Sequence, residues 1–295
     1  MRILVLGSTG MLGHKLVYEL GKKHEVYAGV RGNGSILVKT GICMPERVVQ
    51  YLDATRLESI EAGLFKTQPE VVINAVGSIK QRSEAMTKVN AITINSIFPH
   101  RLAAIASNVA ARVVTFSTDC VFDGATGGYT EADFPNAKDL YGKSKALGEV
   151  YSENCVTIRS SIIGRELSGQ KSLLEWILSN RGGNVKGFAG AQYSGFTTLE
   201  MARILDRFVL NESGLHGVVH ISSNRISKYD LLRLVNEHFE LGMDIEEETD
   251  FCIDRTLDSD AFQKLTGFKP NSWNEMIKEL AADPSPYEVW RESKA

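Results

Sequence analysis

Short apolar runs alternate with helix-period segments through the first half of the chain. Ile3-Leu4-Val5-Leu6 has the pattern of a strand buried on both faces, and Met11–Leu20 follows as a helix. Glu25–Val30, Val71–Ala75 after Pro69, Val113–Ser117 and Val156–Arg159 repeat the strand pattern. Helical stretches at Ile92–Val109 and Tyr141–Tyr151 lie between them. Strands alternating with helices predict an α/β fold, a doubly wound parallel sheet covered on both faces. Such a sheet takes its ligands beyond the carboxyl ends of its strands.

The alternation loosens after Gly164. Gly182-Gly183 and Gly187–Gly195 read as loop, Thr197-Thr198-Leu199-Glu200 as a capping box opening a helix to Val209, and Gly217–Ser223 as a further strand. Ser227–Leu241 is an amphipathic helix, and Ser272-Trp273-Asn274-Glu275 caps the last one. The expected division is a cofactor domain of residues 1–164 with about 196–223, and a smaller mixed substrate lobe of about 165–195 and 224–295. Trp176, Trp273 and Trp290 are expected as packing residues.

Composition narrows the partners. The chain has 295 residues, and its net charge of −3 comes with Lys and Arg scattered rather than clustered, which argues against nucleic acid or an anionic membrane. Four cysteines without a Cys-x-x-Cys pair point away from a disulfide framework or a metal site. No run of 18 apolar residues and no leader pattern precede or interrupt the strands, so a cytoplasmic protein with a small-molecule substrate is expected.

Three segments carry candidate chemistry. Gly7-Ser8-Thr9-Gly10-Met11-Leu12-Gly13 joins the first strand to the first helix. Small residues there allow a tight turn and close approach of a pyrophosphate to the positive helix end, which favours a dinucleotide over an ordinary turn. No Asp or Glu lies between Val26 and Val38, whereas Arg31 can meet a 2′-phosphate or simply sit in solvent, so NADP is preferred over NAD. Asp53-Ala54 is placed to close around an adenine ring. Ser117-Thr118-Asp119 ends the fourth strand, where a hydroxyl either holds a substrate carbonyl oxygen or merely terminates the strand. Tyr141-Gly142-Lys143-Ser144-Lys145 sets a phenol and an amine one helical turn apart on the same face. The cation should favour phenolate and make Tyr141 a better proton donor; a half-buried Tyr beside a surface Lys is the plainer alternative.

With Gly7–Gly13, Asn74-Ala75, Asn95, Thr118 and Tyr141-x-x-x-Lys145 in this order, the chain resembles the extended short-chain dehydrogenase/reductase superfamily, whose cofactor domain is a Rossmann sheet. Phe116-Ser117-Thr118-Asp119-Cys120-Val121-Phe122-Asp123-Gly124 and Tyr141–Lys145 are similar to the dTDP-4-dehydrorhamnose reductase family, which carries Ser-Thr-Asp-Tyr-Val-Phe-x-Gly and Tyr-Gly-x-x-Lys. The resemblance implies NADPH-dependent reduction of a nucleotide-linked 4-keto-6-deoxy sugar, in deoxysugar or surface polysaccharide biosynthesis. It implies Tyr141 as proton donor, Lys145 at the nicotinamide ribose, Thr118 on the keto oxygen and Asn95 as the helix asparagine of the catalytic set. Asn74, Ala75 and Val76 would line the cofactor. Asp119, Cys120, Arg165, Gln192 and Thr197 would surround the sugar nucleotide, with Arg165 and Arg255 toward its diphosphate.

One position departs from the family pattern. Cys120 stands where the family has tyrosine, and it reads either as a reactive thiol or as a small, half-buried neutral side chain. Sugar-nucleotide 4,6-dehydratases carry an Asp-Glu pair here as acid and base, so Cys120 removes the carboxylate that would pull the C5 proton. That disfavours a dehydratase. Two rivals stay open: a sugar-nucleotide epimerase of the same superfamily, which keeps its cofactor bound, and a non-catalytic cofactor-binding regulatory subunit. The oligomeric state is also open, a homodimer being one option.

Overall fold

The computed structural model describes residues 1–78, 88–212 and 214–292. At its centre lies a seven-stranded parallel sheet in the order Gly217–His220, Cys155–Arg159, Arg112–Phe116, Val71–Asn74, Arg2–Leu6, Glu25–Gly29 and Val48–Val49. The apolar runs of the sequence fill its inner strands, and Ile3, Leu4, Val5, Val72, Ile73, Val113 and Val114 are all buried. The expected doubly wound α/β class is borne out. The edge strand Val48–Val49 was not anticipated, because two residues after the helical turn Pro45–Arg47 offer no run to read.

Strand order reverses between Arg2–Leu6 and Val71–Asn74, which pair in register with Leu6 opposite Asn74. The loops that follow them therefore open side by side at the carboxyl edge, the place where a sheet of this kind binds ligands.

Two helices frame that edge. Lys88–Ile92, the π-helical turn Thr93–Ile97 and Phe98–Ser107 run on from one another, with Pro99 just past the change from π- to α-helical turns. The helix carrying Tyr141 spans Leu140–Ala146 and stops short of the expected Tyr151. Close packing is the reason: a Cβ on Gly148 would overlap the carbonyl oxygen of Asn95, so the chain must pass backbone against backbone there.

The second half holds more strand than its sequence suggested. Asn184–Phe188 pairs in parallel with Asp244–Glu248, and Ala191–Tyr193 pairs with Ile226–Ser227 and Ile253–Asp254, where a glycine-rich loop was expected. Thr197 does cap the helix Thr198–Ile204, accepting from the Glu200 N–H at 3.1 Å, but only Ser272 and Glu275 complete a reciprocal capping box. One apolar cluster runs from Ile3 and Leu16 through Phe196 and Met201 to Leu231, Trp273 and Trp290. Trp176, expected to pack, is instead 42% exposed. Among the described residues no helix is long and apolar enough to cross a membrane.

Candidate active site

The glycine turn is shaped by close contacts that exclude side chains. Gly7 adopts φ +78°, and a Cβ there would sit 2.9 Å from the Ala75 carbonyl oxygen; a Cβ on Gly13 would overlap the Gly7 carbonyl. The buried Ser8 hydroxyl donates to the Val5 carbonyl at 2.7 Å, while Thr9 and Gly10 are exposed at the start of the helix Met11–Leu20, with Met11 and Leu12 turned inward. His14 braces this turn. Its Nδ1 lies 2.8 Å from the Gly10 carbonyl, so it donates there, and Nε2 accepts from the Tyr287 hydroxyl at 2.9 Å.

Burial lowers the His14 pKa to about 4. The unfolded chain therefore binds the extra proton first, so this group's stabilising effect is complete above about 6.5 and is lost as pH falls toward 4. The expected cost is about 2 kcal/mol between pH 7 and pH 5. Urea unfolding at both pH values checks it: a His14→Gln protein should lose that much of the wild-type pH dependence, and an unchanged dependence would discard the account.

Thr118, Tyr141, Lys145 and Asn95 converge at the carboxyl edge. Thr118 follows the strand Arg112–Phe116 and caps the short turn Asp119–Val121; its Oγ1 accepts from the Cys120 N–H at 3.1 Å and donates to Asp119 Oδ1 at 3.0 Å. The Thr118 side chain lies close enough to the Tyr141 phenol to act on it. Asp139 fixes the start of the tyrosine helix by accepting from the Gly142 N–H at 3.0 Å. One turn further on, the Lys145 amine donates to the Phe116 carbonyl. Asn95, buried in the π-helical turn, accepts from the Ser78 N–H at 2.8 Å and donates to the Ser78 carbonyl at 3.0 Å and the Ser144 hydroxyl at 3.1 Å. It thus ties the loop after Val71–Asn74 to the tyrosine helix.

The electrostatics differ from the expectation. Burial pushes the Tyr141 phenol up, Cys120 adds to the effect and the Thr118 side chain opposes it, so the group is held protonated rather than drawn toward phenolate. Lys145 does not act on it here, because its amine faces a backbone carbonyl. Burial lowers that amine to about 8, against the pull of Glu149.

Beneath the pair lies a buried polar network that the sequence reading missed. Glu149 accepts from the Ser117 hydroxyl at 2.7 Å and from Arg159 Nε and Nη2, both at 2.7 Å. Glu149 and Arg159 are each only 1% exposed. Arg159 can only donate, so its contact at 3.0 Å makes His220 Nε2 an acceptor and leaves the ring proton on Nδ1, facing the Tyr129 and Asp258 carbonyls. The available signal was Glu149 one turn beyond Lys145, on the same face.

Other expected site residues have other partners. Arg165 pairs with Glu175 at 2.9 Å and Glu288 at 2.6 Å, which takes up the guanidinium meant for a diphosphate. Arg255 donates to the Phe122 carbonyl at 2.8 Å. The Thr197 hydroxyl is spent on its helix cap and is buried. Gln192 is held between the Ala189 carbonyl and Arg225, both at 2.9 Å. Asn74 bonds Thr115 Oγ1 at 3.1 Å and the Val76 N–H at 3.2 Å, shaping the loop of Ala75 and Val76. Asp53 turns onto Thr55 beside Ala54; burial raises its carboxyl, but the Thr55 bonds and the Arg31 charge hold it below its usual value. Arg31 itself is exposed.

Residues 1–285 match the protein family described as RmlD substrate binding domain. The chain belongs to this family. The resemblance read from sequence is thereby borne out, as is the expectation of an oxidoreductase. A dTDP-4-dehydrorhamnose reductase of Aggregatibacter actinomycetemcomitans is 26% identical, over 95% of this chain and 98% of its own. Methionine adenosyltransferase 2 subunit beta of Xenopus tropicalis is 28% identical over 50% of this chain and 41% of its own. The crystal structure of dTDP-4-dehydrorhamnose reductase from Bacillus anthracis, in complex with NADP, shares the fold with a TM-score of 0.77 at 20% identity, covering 96% of this chain and 99% of that one.

Proposed function

We propose that this RmlD-family protein reduces the ketone of a nucleotide-linked 4-keto-6-deoxy sugar with NADPH. The observation that carries the reading is the Thr118 side chain set beside the Tyr141 phenol, one helical turn from Lys145, at the edge where the strand order reverses. A dinucleotide fits this edge: the turn at Gly7 and Gly13 has no room for side chains, while Thr9 and Gly10 lie open at a helix start. Gly7–Gly13 would hold the diphosphate, Arg31 the 2′-phosphate and Lys145 the ribose. The exposed Arg31, just past a strand and with no Asp or Glu between Val26 and Val38, supports NADP over NAD.

When bound, the reduced cofactor supplies the hydride. Thr118 and Tyr141 orient the keto oxygen and stabilise the charge that grows on it, and Tyr141 gives that oxygen its proton. A buried phenol with a raised pKa keeps its proton until the alkoxide, a stronger base, forms. Asn95 fixes the helix and loop between which these groups stand.

The test is NADPH consumption with dTDP-, UDP- and GDP-linked keto sugars, expected to match product formation mole for mole. No turnover with any of them, by protein that binds NADP, would overturn the reading. The partial likeness to a methionine adenosyltransferase subunit favours a second one, a cofactor-binding subunit of another enzyme. A stable complex with such an enzyme, alongside a negative substrate screen, would decide for it.

A further inference from the structure

Lys228 is distant in sequence from Thr118 and Tyr141 yet shares their corner. Antiparallel pairing of Ile226 with Tyr193 carries the chain past the site, and Lys228 opens the helix Lys228–His238 with its Nζ 3.7 Å from the centroid of the Tyr193 ring. Asp119 and Cys120 lie near enough to act on that amine, and the same two groups act on Tyr141 and Tyr193. Among the described residues the Lys228 amine makes no hydrogen bond and no ion pair. Lysines withdrawn from water for structural reasons normally find a carboxylate. This one has both the Asp119 carboxylate and the Cys120 thiol nearby. Cys120 leaves the same short turn that presents the Thr118 hydroxyl, to which its own N–H is bonded.

We propose that Cys120 and Lys228 form a proton donor–acceptor pair that exchanges a hydrogen on a carbon flanking the ketone before hydride arrives. The inference rests on the keto-sugar reading above. A ketone acidifies the C–H bonds on both neighbouring carbons. One member of the pair removes such a proton; the C–H electrons become a C=C bond, and the carbonyl becomes an enolate whose oxygen Thr118 and Tyr141 already hold. The other member returns a proton to the same carbon and the ketone reforms. Nothing is oxidised or reduced, and return of the proton to the opposite face inverts that carbon. The added activity is therefore epimerisation preceding reduction. Burial lowers the Lys228 amine to about 8, against the pull of Asp119 and Cys120, so both of its protonation forms are populated near neutral pH.

The experiment uses the full chain with NADP⁺, which cannot reduce, and a nucleotide-linked 4-keto-6-deoxy sugar in D₂O. Mass spectrometry should show deuterium entering the sugar faster than in the enzyme-free control. Cys120→Ser and Lys228→Met should each slow the exchange by about 10²–10⁴-fold. NADP binding and thermal unfolding of both variants verify that they are folded. Lys228→Met keeps the apolar stem over Tyr193, so a merely structural lysine would leave exchange untouched. The pair is overturned if wild-type protein reduces the sugar with NADPH in D₂O without enzyme-dependent deuterium uptake, or if folded variants exchange as fast as wild type. Neither reduction nor exchange would remove the functional reading itself, and this inference with it.

Discussion

A Tyr141→Phe protein should turn over about 10²–10⁴-fold more slowly than wild type, the usual worth of a positioned general acid, while binding NADP with unchanged affinity. The hydroxyl is the only part removed, and the ring remains to fill the space beside Thr118. Loss should fall on kcat rather than on KM, because proton donation matters only as the alkoxide develops. Single-turnover NADPH oxidation, with cofactor affinity measured separately, distinguishes this from a misfolded helix. Near-normal turnover would mean that another group delivers the proton.

The largest effect on stability is expected at Glu149. Glu149→Ala removes one side of a fully enclosed ion pair and leaves Arg159 without its carboxylate, so the loss should be about 3–5 kcal/mol. The Ser117 hydroxyl loses its acceptor as well. Urea unfolding gives the number, and a loss below about 1 kcal/mol, the worth of an exposed pair, would show that water reaches the arginine. Glu149→Gln keeps two acceptor sites and should fall between. In that variant Lys145 also loses the opposite charge of Glu149, so the alkaline limb of kcat/KM should move to lower pH.

What the sequence revealed follows from how far each signal reaches. The inner strands are legible because a sheet covered on both faces demands unbroken apolar runs, and Ile3–Leu6 and Val71–Ile73 supply them. The same locality placed Tyr141 and Lys145 on one face, since four residues along a helix settle that question. Val48–Val49 was too short to leave a pattern, and Asp244–Glu248 is acidic at four of five positions, so its pairing with Asn184–Phe188 has no apolar signature. Partnerships were the least legible of all. Arg165 and Thr197 are chemically suited to a phosphate or a sugar, and only the fold shows that Glu175, Glu288 and a helix N-terminus claim them first. The meeting of Tyr193 with Lys228 has no local signature, because the strand pairing that unites them lies outside any local window.

The two sides of the catalytic corner come from opposite halves of the polypeptide. Thr118 and Tyr141 descend from its first half, whereas Tyr193 and Lys228 are delivered by a hairpin-like pairing of its second. Exchange of the latter segment between family members should consequently transplant substrate preference onto an unaltered redox engine, which makes the junction beyond Ile162–Ile163 a natural crossover point for chimeras.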